Sequence, residues 1–547
     1  MHSVIQELKH DFNEKTPNIV IADLIRNPLD IVQCRFTSTF SPRGSRVKPG
    51  MTSNSSFFSR IKHSQAFRFP KSFWEAALLV GILFTLLFAF PALALAQDIR
   101  VLLESSTVDT ISVNINSGDY ELQDDSGRWL ADIQRGAKIE IENYRNGFSV
   151  YVGGKLIADK QPGICLSAAA NDGLFEYKGK LYRANLSMVS NGTSIYIINK
   201  LDVEYYLYGV VGREIGYNQP LEAVKAQAVA CRSFALAKLN TANRYYDIGS
   251  DVLAQSYGGY AAEKEAAASN IIRAVDATAG EIICYRGEPF ESYYHSNAGG
   301  HTEDIANVWG GNIPLLGVPS PYDDYVEKSG YSTGIYHWQV TYSGAELRAL
   351  AERYAGRNIG AYRGIELSTT GANGKPSASG RVMEVVIKGE SGQVSAQRDD
   401  IRSLLGNLKS TFFSLENWDN ILTVSSDTTF YVLDKGQTTP QPVKDIGAYY
   451  VQTDSGGILS RLVDWGLNFT IKGARQSVKV GSGSAVSGNS ASSTGNVTFY
   501  GKGYGHGVGM SQWGAIGMAA DGFTYDEILS YYYNMKNNRD FALTHYR

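Results

Sequence analysis

From residue 76 to residue 97 the chain carries no charge, and its 21-residue stretch AALLVGILFTLLFAFPALALA follows Arg60, Lys62, Arg68 and Lys71. A basic region, an apolar core and then Ala94-Leu95-Ala96, a small-x-small cleavage pattern, read together as an export signal ending at Ala96. Left uncut, the same residues are long enough to anchor the chain as one transmembrane segment. Both alternatives place everything after residue 97 outside the cytoplasm, secreted into or anchored at the cell envelope. An export signal spans about 15 to 30 residues. Residues 1–50 are therefore expected to lie upstream of a later start at Met51, the alternative being a cytoplasmic tail.

With 547 residues the chain has room for two to four domains of roughly 100 to 200 residues. At 43% hydrophobic and 19% charged residues it can bury a core, which excludes global disorder and a collagen-like fibre. Beyond residue 96 there are 40 Lys and Arg against 48 Asp and Glu, a balance of −8 that suits no nucleic-acid partner. Four cysteines, Cys34, Cys165, Cys231 and Cys284, are too few for a disulfide scaffold.

Past Gln97 short runs of β-branched and aromatic residues at 99–103, 110–113, 148–152 and 194–198 predict strands. Pro220 opens a helix over 220–239, with apolar residues at 221, 224, 228, 231, 235 and 239 forming one buried stripe that makes Cys231 a small core hydrophobe. Further helices are expected over 263–277, after the capping box Ser343/Glu346, over 511–520, and from the capping box Thr524/Glu527 into 528–533. Strands at 429–433 and 447–452 and a Gly/Ser-rich linker at 481–496 mark an insertion. The expected class is α+β: a mixed β-rich scaffold with several helices around a central cleft, plus a β-rich insertion. Its parts are a leader (1–96), an N-terminal β-rich region (97–200), a core (201–416), the insertion (417–496) and the C-terminal part of the core (497–547).

Three stretches could carry chemistry. One runs from Asn199 to Gly216 and holds Glu214, read as lying in a connection just ahead of the 220–239 helix, where a general acid could sit. Taken alone it is equally a solvated surface glutamate. The second, Tyr293-Tyr294-His295-Ser296-Asn297-Ala298-Gly299-Gly300-His301-Thr302-Glu303-Asp304, holds two of the five histidines beyond the leader. With Cys284 upstream, His295 and His301 have the ligand types zinc prefers, although the spacing fits no standard zinc signature; the other reading is a polar cleft or substrate contact. The third, Gly501 to Ala515, places Gly at 501, 503, 505, 507 and 509 around His506. It lacks the features of a phosphate loop or dinucleotide fingerprint, and its alternating glycines allow close approach of a backbone or ligand.

Together these stretches resemble the stage II sporulation protein D family, which includes amidase enhancers. The resemblance rests on Asn199-Lys200-Leu201-Asp202-Val203-Glu204-Tyr205-Tyr206, on the segment from Pro220 to Ala235, on Gln255-Ser256-Tyr257-Gly258-Gly259, on Tyr294-His295-Ser296 through Trp309-Gly310, and on Gly505-His506-Gly507 through Gln512-Trp513-Gly514. It covers residues 98–415 and 497–535. Two departures are Gly212-Arg213-Glu214-Ile215, where the family more often has a Pro-Ser-Glu-Met-like run, and the residues separating the core from the Gly-rich motif.

The resemblance implies a lytic transglycosylase that cleaves peptide-free peptidoglycan glycan strands during sporulation engulfment, with Glu214 as its acid/base. Glycosidic cleavage through an oxocarbenium-like transition state needs an acid on the leaving oxygen. Here the same group would then take the proton of the sugar's own C6 hydroxyl as a 1,6-anhydro ring closes. That role requires an elevated pKa, which a partly apolar cleft provides. Gln227, Arg232, Gln255, Tyr257, Tyr293, His295, Ser296, His506 and Gln512 are the expected substrate-binding groups. No cofactor is required, with zinc on His295, His301 and Cys284 as the candidate metal. The expected partners are glycan strands, a cell-wall amidase and other engulfment proteins, and the membrane if the anchor is retained. A non-catalytic glycan-binding amidase enhancer and a zinc hydrolase are the competing readings.

Overall fold

The computed structural model describes residues 97–546 apart from 145–146, 171–172, 240–244, 252–253, 372–373, 375 and most of 416–495. The leader and the Gly/Ser-rich linker lie outside the described residues, so the signal and anchor alternatives do too. Among the described residues no helix is long and apolar enough to cross a membrane.

Twelve strands follow one another from residue 98 to residue 202: β1 (Asp98–Ser106), β2 (Thr110–Ser117), β3 (Tyr120–Asp124), β4 (Trp129–Ile133), β5 (Lys138–Tyr144), β6 (Gly147–Val152), β7 (Lys155–Gln161), β8 (Gly163–Ala168), β9 (Leu174–Tyr177), β10 (Lys180–Arg183), β11 (Asn185–Ser190) and β12 (Ile195–Asp202). Side chains alternate across a strand, so β2 buries Ile111, Val113 and Ile115 while Thr110 and Ser112 face water. Two sheets result, ordered β10-β9-β2-β5-β6-β7 and, including a short β13 (Ile248–Gly249), β13-β1-β12-β11-β8-β3-β4. Their apolar faces share one core containing Val113, Ile139, Phe148, Leu122, Leu166 and Ile197.

β12 runs directly into α1 (Val203–Ile215), whose N-cap Asp202 accepts from the Glu204 N–H at 2.8 Å. Then come α2 (Leu221–Ala237) and α3 (Ala268–Ala277). The expected helix over 263–277 is divided: residues Gly259–Lys264 form a 3-10 turn, and Glu265 is extended at φ −61°, ψ 150°. α1, α2 and α3 pack on Ile99, Val101 and Leu201 at the edge of the second sheet. The single buried stripe expected of α2 is also revised. Its other face, carrying Ala226, Val229 and Ala230, is buried in a separate core against β14 (Glu281–Tyr285), α5 (Gln512–Ala520) and α6 (Tyr525–Tyr532). Small residues on that face let helices approach from both sides.

Residues 337–415 add a third core, in which α4 (Gly344–Ala355) lies against neighbouring strands through Leu347, Ala351, Val385 and Ile387. Its capping box is present as predicted, the Glu346 N–H donating to Ser343 Oγ and the Ser343 N–H to Glu346 Oε2. Short strands Phe430–Val432 and Tyr450–Val451 fall where strands were expected in the insertion. The architecture is α+β with several sheets. Most consequential for the site is a two-residue parallel pairing of Tyr294–His295 with Met510–Ser511, which joins the histidine stretch to the Gly-rich one across more than 200 positions of sequence.

Candidate functional site

Glu214 sits in the last turn of α1 and not in a connection as expected; the chain leaves the helix two residues later, at Gly216 with φ 93°. Rings lie on the small residues of this helix: a Cβ at Gly209 would meet the Tyr257 ring at 2.5 Å, and one at Gly212 the Tyr217 ring at 2.4 Å. The Glu214 side chain is half-buried. One carboxylate oxygen, Oε1, accepts the Ser256 backbone N–H at 2.7 Å. Burial pushes the carboxyl above its ordinary range, against the opposing pull of the Ser256 N–H and Arg213. The partial negative charge at a helix C-terminus acts in the same direction as burial. The result is a carboxyl group biased toward holding a proton and still reachable.

Around Glu214 stands a wall of buried polar groups. Gln227 and Gln255 are fully buried, contrary to their expected contact with sugar. Gln227 Nε2 donates to Cys231 Sγ at 3.2 Å, and Gln512 Nε2 reaches Gln227 Oε1 at 3.4 Å. Gln512 is nearly buried as the first residue of α5. Arg232, expected to bind substrate, is fully buried, and its guanidinium donates to both Glu204 oxygens at 2.8 and 2.6 Å and to the Glu281 carbonyl at 3.0 Å, bracing the elements that carry them. Tyr257 is half-buried and donates to Asn199 Oδ1 at 2.8 Å while its ring packs beside Tyr206 and Tyr182.

Successive residues of a strand face opposite ways, and the Tyr294–His295 strand divides the expected site accordingly. Tyr294 points toward Glu214, its hydroxyl 3.2 Å from Gln255 Nε2 and 3.5 Å from Cys231 Sγ. His295 turns the other way, with Nδ1 3.1 Å from the Val508 carbonyl and its ring 5.3 Å from that of His506. There Trp309 joins Tyr293 at 4.4 Å and His506 at 4.8 Å between ring centroids. Burial pushes His506 down to about 4 and His295 well below its usual range, so both rings are neutral near neutral pH. Ser296 is half-buried, and its carbonyl accepts the Trp513 N–H at 3.0 Å. The structure therefore brings Gln227, Gln255, Gln512 and Tyr294 to the Glu214 side and assembles Tyr293, His295 and His506 on another.

The metal set is not assembled. His295 Nε2 is buried without a hydrogen-bond partner, as a ligand atom could be. Among the described residues, however, no three His, Cys, Asp or Glu side chains are grouped so as to hold a metal ion. Cys284 is a buried member of β14, paired with Ala542, and His301 Nδ1 is 2.6 Å from the Thr302 carbonyl. These residues do not fit a zinc site.

Sequence reasoning passed over a second carboxyl. Asp323 is fully buried and accepts from Ser511 Oγ at 2.5 Å, Ser320 Oγ at 2.9 Å and the Gly300 N–H at 2.9 Å, tying three segments together. Burial raises it to about 6. Nothing local marked it, because its partners lie up to 188 positions away. The Ser256 amide was likewise invisible, being a backbone group.

The fold and site define a mixed α+β protein with a half-buried, proton-biased carboxyl, Glu214, beside buried and half-buried polar groups. Comparison with known proteins names its kin. Residues 191–285 match the family model described as stage II sporulation protein, and residues 324–436, which span much of the third core, match a domain of unknown function. The chain is 29% identical over 362 residues to an uncharacterized protein of Brachyspira hyodysenteriae, covering 66% of this chain and 73% of that one. It is 28% identical over 337 residues to the amidase enhancer of Bacillus subtilis, covering 60% of this chain but only 39% of the relative. To stage II sporulation protein D of the same bacterium it is 25% identical over 353 residues, 61% of this chain and 74% of the relative. Residues 191–285 are thus of the stage II sporulation protein type, and the relatives named for stage II sporulation protein D and for an amidase enhancer extend the similarity over about 60% of the chain.

Proposed function

We propose that this protein is an exported lytic transglycosylase acting on the glycan strands of peptidoglycan, with Glu214 as its acid and base. The observation that carries this reading is the half-buried carboxyl at the end of α1, raised by burial and oriented by the Ser256 N–H. Protonated Glu214 gives its proton to the leaving oxygen as the C1–O bond breaks. The sugar's C6 hydroxyl then bonds to C1, and its proton passes to the Glu214 carboxylate, restoring the acid and leaving a 1,6-anhydro end. A water nucleophile and a second carboxylate are not needed. Stacking of sugar on exposed rings such as Trp309, which is 42% exposed, would extend the binding surface.

The relatives named for sporulation and for enhancing an amidase support a cell-wall role during spore formation, and export by the leader puts the protein on the correct side of the membrane. A second reading follows from the amidase enhancer and from the complete burial of Gln227 and Gln255, which leaves fewer polar groups for sugar: a glycan-binding protein that stimulates a partner amidase. Incubating the purified protein alone with peptide-free glycan and analysing the release separates the two. The enzyme yields 1,6-anhydro fragments by itself, whereas an enhancer yields none and raises product only when an amidase and intact peptidoglycan are supplied.

A further inference from the structure

The segment that delivers the Ser256 N–H is clamped to the neighbouring elements. Gln255 accepts from the Tyr206 hydroxyl at 3.0 Å through Oε1, and donates through Nε2 to the Cys231 carbonyl and the Tyr294 hydroxyl, each at 3.2 Å. All the capacity of this fully buried amide but one acceptor lone pair is thereby used. Two residues on, Tyr257 lays its ring on Gly209, and the Gly258 N–H donates to the Gly209 carbonyl at 2.9 Å, one turn below Glu214 on α1. Ser256 lies between these anchors. Its hydroxyl accepts from Arg213 Nε at 3.2 Å, and its amide meets Glu214 Oε1 at 2.7 Å.

We propose that Gln255 is a positioning residue for Glu214: locked by Tyr206, Tyr294 and the Cys231 carbonyl, it fixes the Ser256 amide that orients the carboxyl group. The proposal rests on the reading of Glu214 as the proton-transferring group. A group that must give a proton to one oxygen and take one from another needs a single orientation, and an amide donor on a rigid segment supplies it. The same donor stabilises the carboxylate and so keeps burial from pushing the titration too high for release of the proton. The groups facing Glu214 are Arg213 and Tyr206 on its own helix, Cys231 on α2 and Tyr294 on the strand before His295. Burial keeps Tyr206 and Tyr294 neutral and pushes the Cys231 thiol up to about 12. Arg213 and the Ser256 amide are thus the two influences favouring the charged form.

The test is a carboxyl-carbon NMR titration of the full chain beyond the leader, with the Glu214 signal assigned by its loss in Glu214→Gln. In Gln255→Leu the Glu214 midpoint moves to higher pH, and in Tyr206→Phe it moves the same way by less. Turnover of peptide-free glycan falls on the order of 10- to 100-fold in Gln255→Leu while KM changes little. A Glu214 midpoint that stays put in both folded variants overturns the proposal. Should Gln255→Leu not fold, Tyr206→Phe, which removes a single oxygen, decides alone. Failure of the underlying reading looks different: Glu214→Gln then keeps its activity, whatever the midpoints do.

Discussion

Glu214 and Asp323 are both carboxyl groups raised by burial, in contrasting surroundings. Asp323 lies wholly inside, met by two hydroxyls and an amide that hold three segments together, whereas Glu214 is half-buried and met by one amide. A raised titration therefore does not by itself mark a site. Exposure and spare bonding capacity distinguish a group free to react, as proposed for Glu214, from one that braces.

The comparison can be broken by substitution. The largest effect expected is on activity: Glu214→Gln lowers glycan cleavage by about 10²- to 10⁴-fold with unfolding temperature close to wild type, measured by product assay and calorimetry. Stability responds in the other region. Arg232→Ala removes both guanidinium bonds from the half-buried Glu204, which keeps only the Gly280 N–H, and empties a fully buried site, at a cost of about 2–4 kcal/mol in denaturant unfolding. Asp323→Ala strands the donors of Ser511, Ser320 and Gly300 and costs about 2–4 kcal/mol.

A pH series sharpens the contrast. Asp323 titrates at about 6 in the fold against an ordinary 3.8, so the fold prefers its protonated form. The stabilisation is complete below the ordinary value and is lost as pH rises through about 6, a decline of up to about 3 kcal/mol at roughly 1.4 kcal/mol per unit. Asp323→Asn, which mimics the protonated acid, flattens that decline in unfolding curves recorded between pH 4 and 7. Smallest of all, Gly209→Ala gains about 1 kcal/mol of helix propensity and loses about 1–3 kcal/mol by forcing the Tyr257 ring aside. A net destabilisation in thermal unfolding is the expected sign.

Much of this was legible in the sequence, and what was not has physical causes. The strand runs, the 220–239 helix and the Ser343 and Thr524 caps are local signals, and each appears within a few residues of its expected place. The helix holding Glu214 was missed because Val-Val and the glycines at 209 and 212 argue against helix locally; Tyr257 and Tyr217 packed onto those glycines override the preference. Glu214 itself was legible through the words surrounding it. The burial of Gln227, Gln255 and Arg232 was not legible, since nothing in these residues says which of their neighbours will consume their hydrogen bonds. The division of Tyr294 from His295 follows from a two-residue strand whose partner lies more than 200 positions on.

The account's central claim is most directly tested by mass spectrometry of the fragments released from peptide-free glycan by wild type and by Glu214→Gln. Fragments ending in 1,6-anhydro sugar from the wild type and none from the variant are the predicted result. Equal release by the two, or wild-type fragments with ordinary reducing ends, would contradict it.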